Sequence, residues 1–239
     1  MNILFLDTET TGNEIGKDRL VEVCYKQREE EGVHTEQFKP PLPISIKAMS
    51  VTHITNKMVE HKKPFIGSSM HNRLSELLKT HILVAHNAPF DIAMLEAEGL
   101  SVPQSIDTLR VARFLDEEAI IPEYNLQFLR YYLDLDIPGA GAHDAESDVR
   151  TLEALFERLF QKLQVTLTDD KAAINKLLEI SSQPSLLKRF TFGKYKGELV
   201  QDIAHTDRGY LQWLYKQKVE NEEGQDVDWI HTLKYYLSE

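Results

Sequence analysis

The stretch NILFLDTETTG, residues 2–12, starts with an apolar run and ends in two acids with one residue between them. A short apolar run bounded by turn residues is typical of a fully buried strand, and we predict one from Asn2 to Asp7. Residues two apart on a strand face the same side of a sheet, so Asp7 and Glu9 are expected to lie together at its edge. Two like charges that close are unfavourable unless a cation lies between them. Taken alone, such a pair is more often two solvated acids near a turn.

A second acidic motif, HNAPFD at residues 86–91, follows another buried apolar run, Ile82 to Ala85. The proline in its first turn and the glycine at its end predict a helix from Pro89 to Gly99, with residue 87 or 88 near the cap. Asp91 lies in the first helical turn, where the helix dipole alone favours an acid. Ligand sites of α/β sheets commonly form just beyond the ends of strands, and this motif falls there.

A third motif, HDAESD, occupies residues 143–148. His143 and Asp148 are separated by about 140° around a continuous helix, so they do not share one helical face. They converge if His143 lies on the loop before the helix and Asp148 lies one turn inside it. The run of glycine and alanine at 139–142 favours such a loop, and Asp144 is a suitable cap for a helix from Asp144 to Leu163.

Taken in order, the three motifs supply the residue types that a two-metal phosphodiester hydrolase needs. Carboxylates hold two divalent cations about 4 Å apart, and these clamp the attacking and leaving oxygens of the phosphate. A histidine can remove a proton from the attacking water. Each motif alone carries a substantial risk of a chance match, but the ordered set does not. The candidate catalytic residues are Asp7, Glu9, Asp91, His143 and Asp148, and the four acids are the candidate metal ligands.

The overall pattern predicts an α/β fold, a mixed central sheet flanked by helices with a small C-terminal appendage, because three strands precede an alternation of strands and helices. The predicted domains are residues 1–164, a connector at 165–185, and a small C-terminal domain at 186–239. Further predicted strands are Arg19 to Tyr25, Thr35 to Phe38 and Ile82 to Ala85. Further predicted helices are Ser45 to Glu60, Ser69 to Lys79, Thr108 to Leu115 and Leu126 to Leu133.

Composition gives an ordinary water-soluble protein of 239 residues, 42% hydrophobic and 27% charged. No stretch reaches the roughly 18 apolar residues of a membrane span, and no signal peptide is recognised, so we expect no membrane partner. Cys24 is the only cysteine, which excludes an intrachain disulfide. A cytoplasmic location is therefore expected.

The net charge of −11 argues at first against a nucleic-acid partner. Two considerations weaken this argument. Bound divalent cations would place positive charge where a phosphate must lie. The charge is also unevenly spread, because residues 188–218 carry seven basic and three acidic side chains, a balance of +4, whereas residues 219–239 balance at −5.

The three motifs resemble those of the DEDDh superfamily of proofreading-type 3′→5′ exonucleases, over about residues 1–163. The segments MSVTHIT at 49–55 and DTL at 107–109 are similar to further family patterns. The tail resembles that of exodeoxyribonuclease X-like proteins, on FTFGKYKG at 190–197, DIA at 202–204 and GYLQWL at 209–214. The resemblance implies a ribonuclease H-like fold and metal-dependent release of nucleoside 5′-monophosphates from DNA 3′ ends, single-stranded or duplex, in repair or recombination.

The resemblance also implies roles for the five residues. Asp7 is expected to bridge two Mg²⁺ ions, with Mn²⁺ as a substitute. Glu9 and Asp148 would complete the site of the ion that activates water, and Asp91 would hold the second ion, partly through water. His143 would be the general base, since the pKa of an unperturbed imidazole, about 6.5, suits that role near neutral pH.

Five further residues are candidate substrate contacts, each with a structural alternative: Thr8, Thr10, Asn87, Lys194 and Lys196. The two threonines could bond the 3′-terminal nucleotide or simply end a strand, and for Thr10 we favour the latter. Asn87 could bind a ligand phosphate or cap the following helix. The two lysines flank aromatic residues and glycines, a pattern that suits phosphate contact, whereas the aromatic residues of the tail are expected to form its own core.

Three other functions compete with a DNA exonuclease. An exoribonuclease of the same fold would trim RNA 3′ ends, and only the resemblance favours DNA over RNA. A proofreading subunit would need a polymerase partner. An inactive nucleic-acid-binding module is disfavoured because all five catalytic positions are present. The sequence leaves open whether two copies pair as a homodimer.

Overall fold

A five-stranded sheet forms the centre of the protein, seen here in a computed structural model that describes residues 1–135, 137, 145–167, 169–220 and 226–238. The strands are β1 (Ile3–Thr10), β2 (Leu20–Gln27), β3 (His34–Gln37), β4 (Ile82–Ala85) and β5 (Ser105–Asp107). Their order in the sheet is β3-β2-β1-β4-β5. β1, β2 and β3 pair antiparallel, whereas β4 pairs parallel to β1 and β5 parallel to β4. The predicted mixed α/β sheet is confirmed.

Helices cover both faces of this sheet and form the C-terminal part. They are α1 (Ile46–Thr52), α2 (Asn56–Val59), α3 (Ser69–Leu77), α4 (Ala88–Ala97), α5 (Thr108–Leu115), α6 (Leu126–Tyr132), α7 (Ala145–Gln164), α8 (Asp170–Ser181), α9 (Val200–Thr206), α10 (Arg208–Glu220) and α11 (Val227–Ser238). No described helix combines the length and the apolar composition that crossing a lipid bilayer requires. The predicted cap residue Asp144 lies outside the described residues.

Two predicted elements differ from the structure. β1 runs on to Thr10 instead of ending at Asp7, because β2 continues to pair with it through the acidic motif. The single helix predicted from residue 45 to 60 is wrong: it is broken into α1 and α2. His53 ends α1 in the left-handed conformation, with φ of 57°. Thr55 then starts α2, since its side chain accepts a hydrogen bond from the backbone N–H of Met58.

Alternate residues of β1 belong to different cores. Ile3 and Phe5 pack with α7 on one face, where Phe156 of α7 meets Phe5 edge to face with ring centroids 5.5 Å apart. Leu4 and Leu6 pack with α3 and α4 on the other face. Because side chains of a strand alternate, residues 7 and 9 continue the α7 face, whereas residues 8 and 10 continue the α4 face.

The segment predicted as a connector contains α8, which packs into the same core as α7. Ala173, Ile174 and Leu177 of α8 are buried there. Ser181, at the end of α8, also bonds the last residue of β5: its hydroxyl accepts a hydrogen bond from the backbone N–H of Asp107 at 2.8 Å. The helix therefore packs against the central sheet, while the predicted domain boundaries remain a prediction.

The C-terminal part has an aromatic core of its own and docks on the rest of the chain through polar contacts. Phe190 and Trp229 stack in this core with centroids 5.1 Å apart. Arg113 of α5 pairs with Asp228 of α11 at 2.7 Å. Arg189 donates to the carbonyl of Ala119 at 2.7 Å. The C-terminal part thus has its own apolar core and contacts α5 and the loop after it through hydrogen bonds and an ion pair.

We expect Leu177→Ala to lower the free energy of unfolding by about 2–5 kcal/mol, because it removes a fully buried side chain and leaves a cavity. Val165→Ala is the matched control, since Val165 is 87% exposed, and should change stability by less than about 0.5 kcal/mol. Chemical denaturation of both variants measures the difference. Equal stabilities would mean that α8 is a loose connector.

Candidate active site

The candidate site forms because β1 extends further than β4, its parallel neighbour in the sheet. The last paired residues of β1 and β4 are Phe5 and Val84. β4 ends one residue later, and the chain turns into α4 through Asn87, which has a left-handed backbone with φ of 69°. Asp7 and Glu9 therefore extend past the end of β4 with a strand partner on one side only, and the edge of the sheet opens beside them.

Four carboxylates approach this opening from both faces of the sheet. Asp7 and Glu9, both half-buried, lie on the α7 face, and Asp148 lies in the first turn of α7. Asp91, buried in the first turn of α4, approaches from the other face. Its Oδ1 accepts a hydrogen bond from the hydroxyl of Thr8 at 2.7 Å. The structure thus brings together all four predicted acids.

The pKa values show that these acids repel one another. Burial, followed by the charges of Asp91, Glu9 and Asp148, raises the pKa of Asp7 well above its ordinary value. Burial and neighbouring acids, Glu22 first among them, raise the pKa of Glu9 to about 7. The pKa of Asp91 also rises to about 7 through burial, against the opposing effect of the Thr8 hydrogen bond. Such mutual repulsion marks a site that a divalent cation would stabilise.

The donor set fits divalent metal by its chemistry, because Mg²⁺ and similar hard cations prefer carboxylate oxygens. As they stand, no three His, Cys, Asp or Glu side chains among the described residues form a group that could hold a metal ion. Thr8 and Gln127 each donate a hydrogen bond to one of the acids, Asp91 and Asp148 respectively. To bind a metal ion together, the carboxylates would have to turn toward a shared cation.

Two residues near the acids escaped the sequence analysis. Glu22 of β2 is paired in register with Glu9 of β1, which places a fifth acid beside the site. The amide Nε2 of Gln127, in the first turn of α6, donates to Oδ1 of Asp148. A prediction of strand register would have found Glu22, but no motif singles out Gln127 because its contact depends on how α6 packs against α7.

Buried polar side chains fix the turn between β4 and α4. The ring of His86 bonds the hydroxyl of Thr108 at 2.9 Å and the carbonyl of Tyr124 at 2.7 Å. Burial lowers the pKa of His86 to about 4, so its ring is neutral and structural. The carboxylate of Asp107 accepts from the backbone N–H of Asn87 at 2.9 Å. These contacts hold the left-handed turn from which Asp91 is presented.

The predicted substrate contacts fall in different places. The hydroxyls of Thr8 and Thr10 are engaged within the protein, the latter with the carbonyl of Gly12 at 2.5 Å. Asn87 is exposed at the N-terminus of α4 and makes no side-chain cap there. Lys194 and Lys196 are exposed on the C-terminal part, where Lys194 pairs with Asp207 at 2.9 Å. The predicted general base His143 lies outside the described residues.

Comparison with known proteins agrees with this geometry. A family model described as "Exonuclease" matches residues 4–156. The chain belongs to this exonuclease family. A second model, described as "Exodeoxyribonuclease X-like C-terminal", matches residues 190–219 of the exonuclease. Both resemblances inferred from the sequence are confirmed, and the protein is an enzyme of the DEDDh exonuclease type, a family that depends on divalent metal.

Curated relatives of this exonuclease include proteins of similar and of different architecture. "Exodeoxyribonuclease 10" of Escherichia coli strain K12 is 31% identical over 233 residues, which cover 97% of each chain. "DNA polymerase III subunit epsilon" of Treponema pallidum is 31% identical over 159 residues, 63% of this chain and 72% of that protein. The first relative therefore matches both the sheet and the tail.

Solved structures share the fold of the exonuclease. Exonuclease X in complex with 5′-overhanging duplex DNA has a TM-score of 0.57 and 26% identity, covering 75% of this chain and 99% of that one. A zinc-bound complex of E. coli exonuclease I with single-stranded DNA has a TM-score of 0.58 over 70% of this chain and 42% of that one. At 21% identity, the second structure supports the fold alone. The predicted ribonuclease H-like fold is confirmed.

We expect the free energy of unfolding of the metal-free exonuclease to fall as pH rises from about 4 to about 7. The folded protein holds the protons of Glu9 and Asp91 up to about pH 7, whereas the ordinary pKa values are 4.5 and 3.8, so unfolding is favoured across that window. Asp7→Asn removes one repelling charge and should flatten the decline. Thermal unfolding in chelator across this pH range measures both effects.

Glu118→Gln, at an exposed position, is the control for this pH experiment and should follow the parent. Added Mg²⁺ should restore stability most at the high-pH end, where the acids are charged. A stability that is constant or rises between pH 4 and 7 in chelator would contradict the raised pKa values.

Proposed function

We propose that the protein is a metal-dependent 3′→5′ exodeoxyribonuclease that hydrolyses the terminal phosphodiester of single-stranded DNA and of duplex 3′ ends. Its products would be nucleoside 5′-monophosphates, and its role would lie in DNA repair or recombination. The observation that carries the proposal is the convergence of four carboxylates from β1, α4 and α7 beside the end of β4. Neighbouring carboxylates raise the pKa values of Asp7 and Glu9, which favours the binding of cations between them. Bound cations would in turn attract the phosphate.

Each acid has a proposed role that follows from its position. Asp7, whose charge interacts with those of the other three acids, would hold both of two Mg²⁺ ions, for which Mn²⁺ could substitute. Glu9 and Asp148 share the α7 face and would hold the ion at the attacking water. Asp91 reaches the site from α4 and would hold the second ion, partly through water. When bound, the two ions neutralise charge on the phosphate and acidify the attacking water.

His143 is the proposed general base for the attacking water. It precedes Asp148 by five residues, and Asp148 lies in the first turn of α7 as the motif predicts. A neutral imidazole accepts a proton near neutral pH, which lets the water attack the terminal phosphate as a hydroxide.

DNA is the proposed substrate because the relative that spans 97% of the chain is an exodeoxyribonuclease. The match of the tail to an exodeoxyribonuclease X-like C-terminal part supports the same substrate. Of the two tail lysines, Lys196 is the better candidate for a phosphate contact. It is exposed and has no ion pair with any described residue, whereas Lys194 is paired with Asp207.

RNA remains the alternative substrate, because only the similarity to exodeoxyribonucleases favours DNA over RNA, which differs from it by the 2′-hydroxyl. A proofreading role is a second alternative, favoured by the similarity of residues in the nuclease part to a polymerase III epsilon subunit. The tail, which extends beyond that match, favours the exodeoxyribonuclease.

We expect 5′-labelled single-stranded DNA to be shortened from its 3′ end into a ladder in the presence of Mg²⁺, and to stay intact with chelator. Asp7→Ala should abolish the ladder, because Asp7 lies close enough to the other three acids for the charge of each to raise its pKa. Denaturing electrophoresis of DNA and a matched RNA oligonucleotide measures the preference. Degradation of RNA alone would keep the chemistry and replace the substrate, and cleavage of neither would refute the proposed function.

We expect His143→Ala to lower the saturated rate by about 10²–10⁴-fold, the usual contribution of a general base, while DNA and metal binding stay close to those of the parent. Single-turnover rates and a separate DNA-binding titration distinguish chemistry from binding. His61→Ala, which removes an exposed histidine just after α2, is the control. A His143→Ala variant as fast as the parent would rule out His143 as the base.

A further inference from the structure

We infer that Gln127 is a positioning residue that orients Asp148 for metal binding, an inference that rests on the proposed function. The amide Nε2 of Gln127 donates a hydrogen bond to Oδ1 of Asp148 across the interface between α6 and α7. This contact engages one of the two carboxylate oxygens of Asp148 and fixes the direction in which the carboxylate faces. Carboxylates that bind metals are themselves usually oriented by hydrogen bonds from neighbouring groups.

The position of Gln127 is set by anchors on both sides of it. Before it, the carbonyl of Tyr124 is bonded by the ring of His86, and the side chain of Asn125 caps α6 by accepting from the N–H of Phe128 at 2.8 Å. After it, Leu129 is fully buried in the core beneath α7. Because the backbone is held so closely, the glutamine side chain can reach Asp148 at a reduced cost in conformational entropy.

The chemistry of the donor suits this role because an amide carries no charge. Other acids of α7 are paired with cationic side chains: Lys26 with Glu153 at 2.5 Å and Arg28 with Glu157 at 2.8 Å. A cation in the place of Gln127 would neutralise Asp148 and compete with a metal ion. The Gln127 amide orients the carboxylate without adding a positive charge of its own.

The same arrangement occurs at the acid on the other face of the sheet. Asp91 receives its hydrogen bond from the hydroxyl of Thr8, which is also neutral. Thus the two candidate ligands that come from helices, Asp91 and Asp148, are each held by an uncharged donor from a neighbouring element. This repetition supports an orienting role for Gln127 over a chance contact between helices.

The test uses Gln127→Leu, which keeps the approximate size and removes the donor, and Gln127→Glu, which replaces the donor by an acceptor. Gln161→Leu is the matched control, an exposed glutamine on α7. The first readout is the Mg²⁺ concentration at the midpoint of the metal-induced rise in melting temperature, which reports binding without catalysis. The second is the Mg²⁺ concentration that gives half the maximal nuclease rate.

We expect both midpoints to rise by about 10–100-fold in the two Gln127 variants and to stay at the parent value in Gln161→Leu. A role in helix packing alone would lower the melting temperature in chelator and leave both midpoints within about twofold of the parent, which would overturn the inference. Gln127→Asn, polar but too short to reach, replaces Gln127→Leu if the latter does not fold. If the parent itself shows no Mg²⁺-dependent shift and no nuclease activity, the proposed function falls together with the inference.

Discussion

The repulsion among four carboxylates at one edge of the sheet is the constraint on which the rest of this structure depends. Charged Asp7 is destabilised by burial and by four neighbouring acids, Glu22 among them, so the fold holds these charges close at a cost in stability. The core on each face of β1 offsets that cost, because Phe5 and Leu6, immediately before the acid, are completely buried. The rigid strand therefore carries the acids to the end of β4, where the sheet edge opens.

Local sequence predicts the parts of the site that depend on one element at a time. Alternation along β1 places Asp7 and Glu9 on one face, and the proline after Asn87 places Asp91 in a first helical turn. Local sequence patterns do not predict which distant strands and helices pair, or in which register. The strand β5 has only three residues, too few for a periodic signal, and the register that sets Glu22 opposite Glu9 is fixed by tertiary structure. The break at His53 was missed because a left-handed residue there has no strong sequence signal.

The negative charge of the protein has a different meaning once the contacts are known. Several basic side chains form ion pairs with acidic side chains of the same chain, among them Lys26 with Glu153, Lys218 with Asp226 and Lys194 with Asp207. Thr8 and Gln127, which donate hydrogen bonds to Asp91 and Asp148, are neutral side chains. A phosphate at the proposed site would take its positive counter-charge from divalent metal, so a net charge of −11 is compatible with a polyanionic substrate.

The loop between α5 and α6 connects the tail to this electrostatic arrangement. Lys188 and Arg189 of the tail donate to carbonyls of Asp116 and Ala119 at 2.6 and 2.7 Å. The carboxylate of Asp116 also accepts from the hydroxyl of Tyr124 at 2.7 Å, and the backbone of Tyr124 holds His86. The loop then leads into α6, which carries Gln127. The segment from the end of α5 to the start of α6 therefore does two things. It contacts the C-terminal part, and it carries Tyr124 and Gln127, which bond His86 and Asp148.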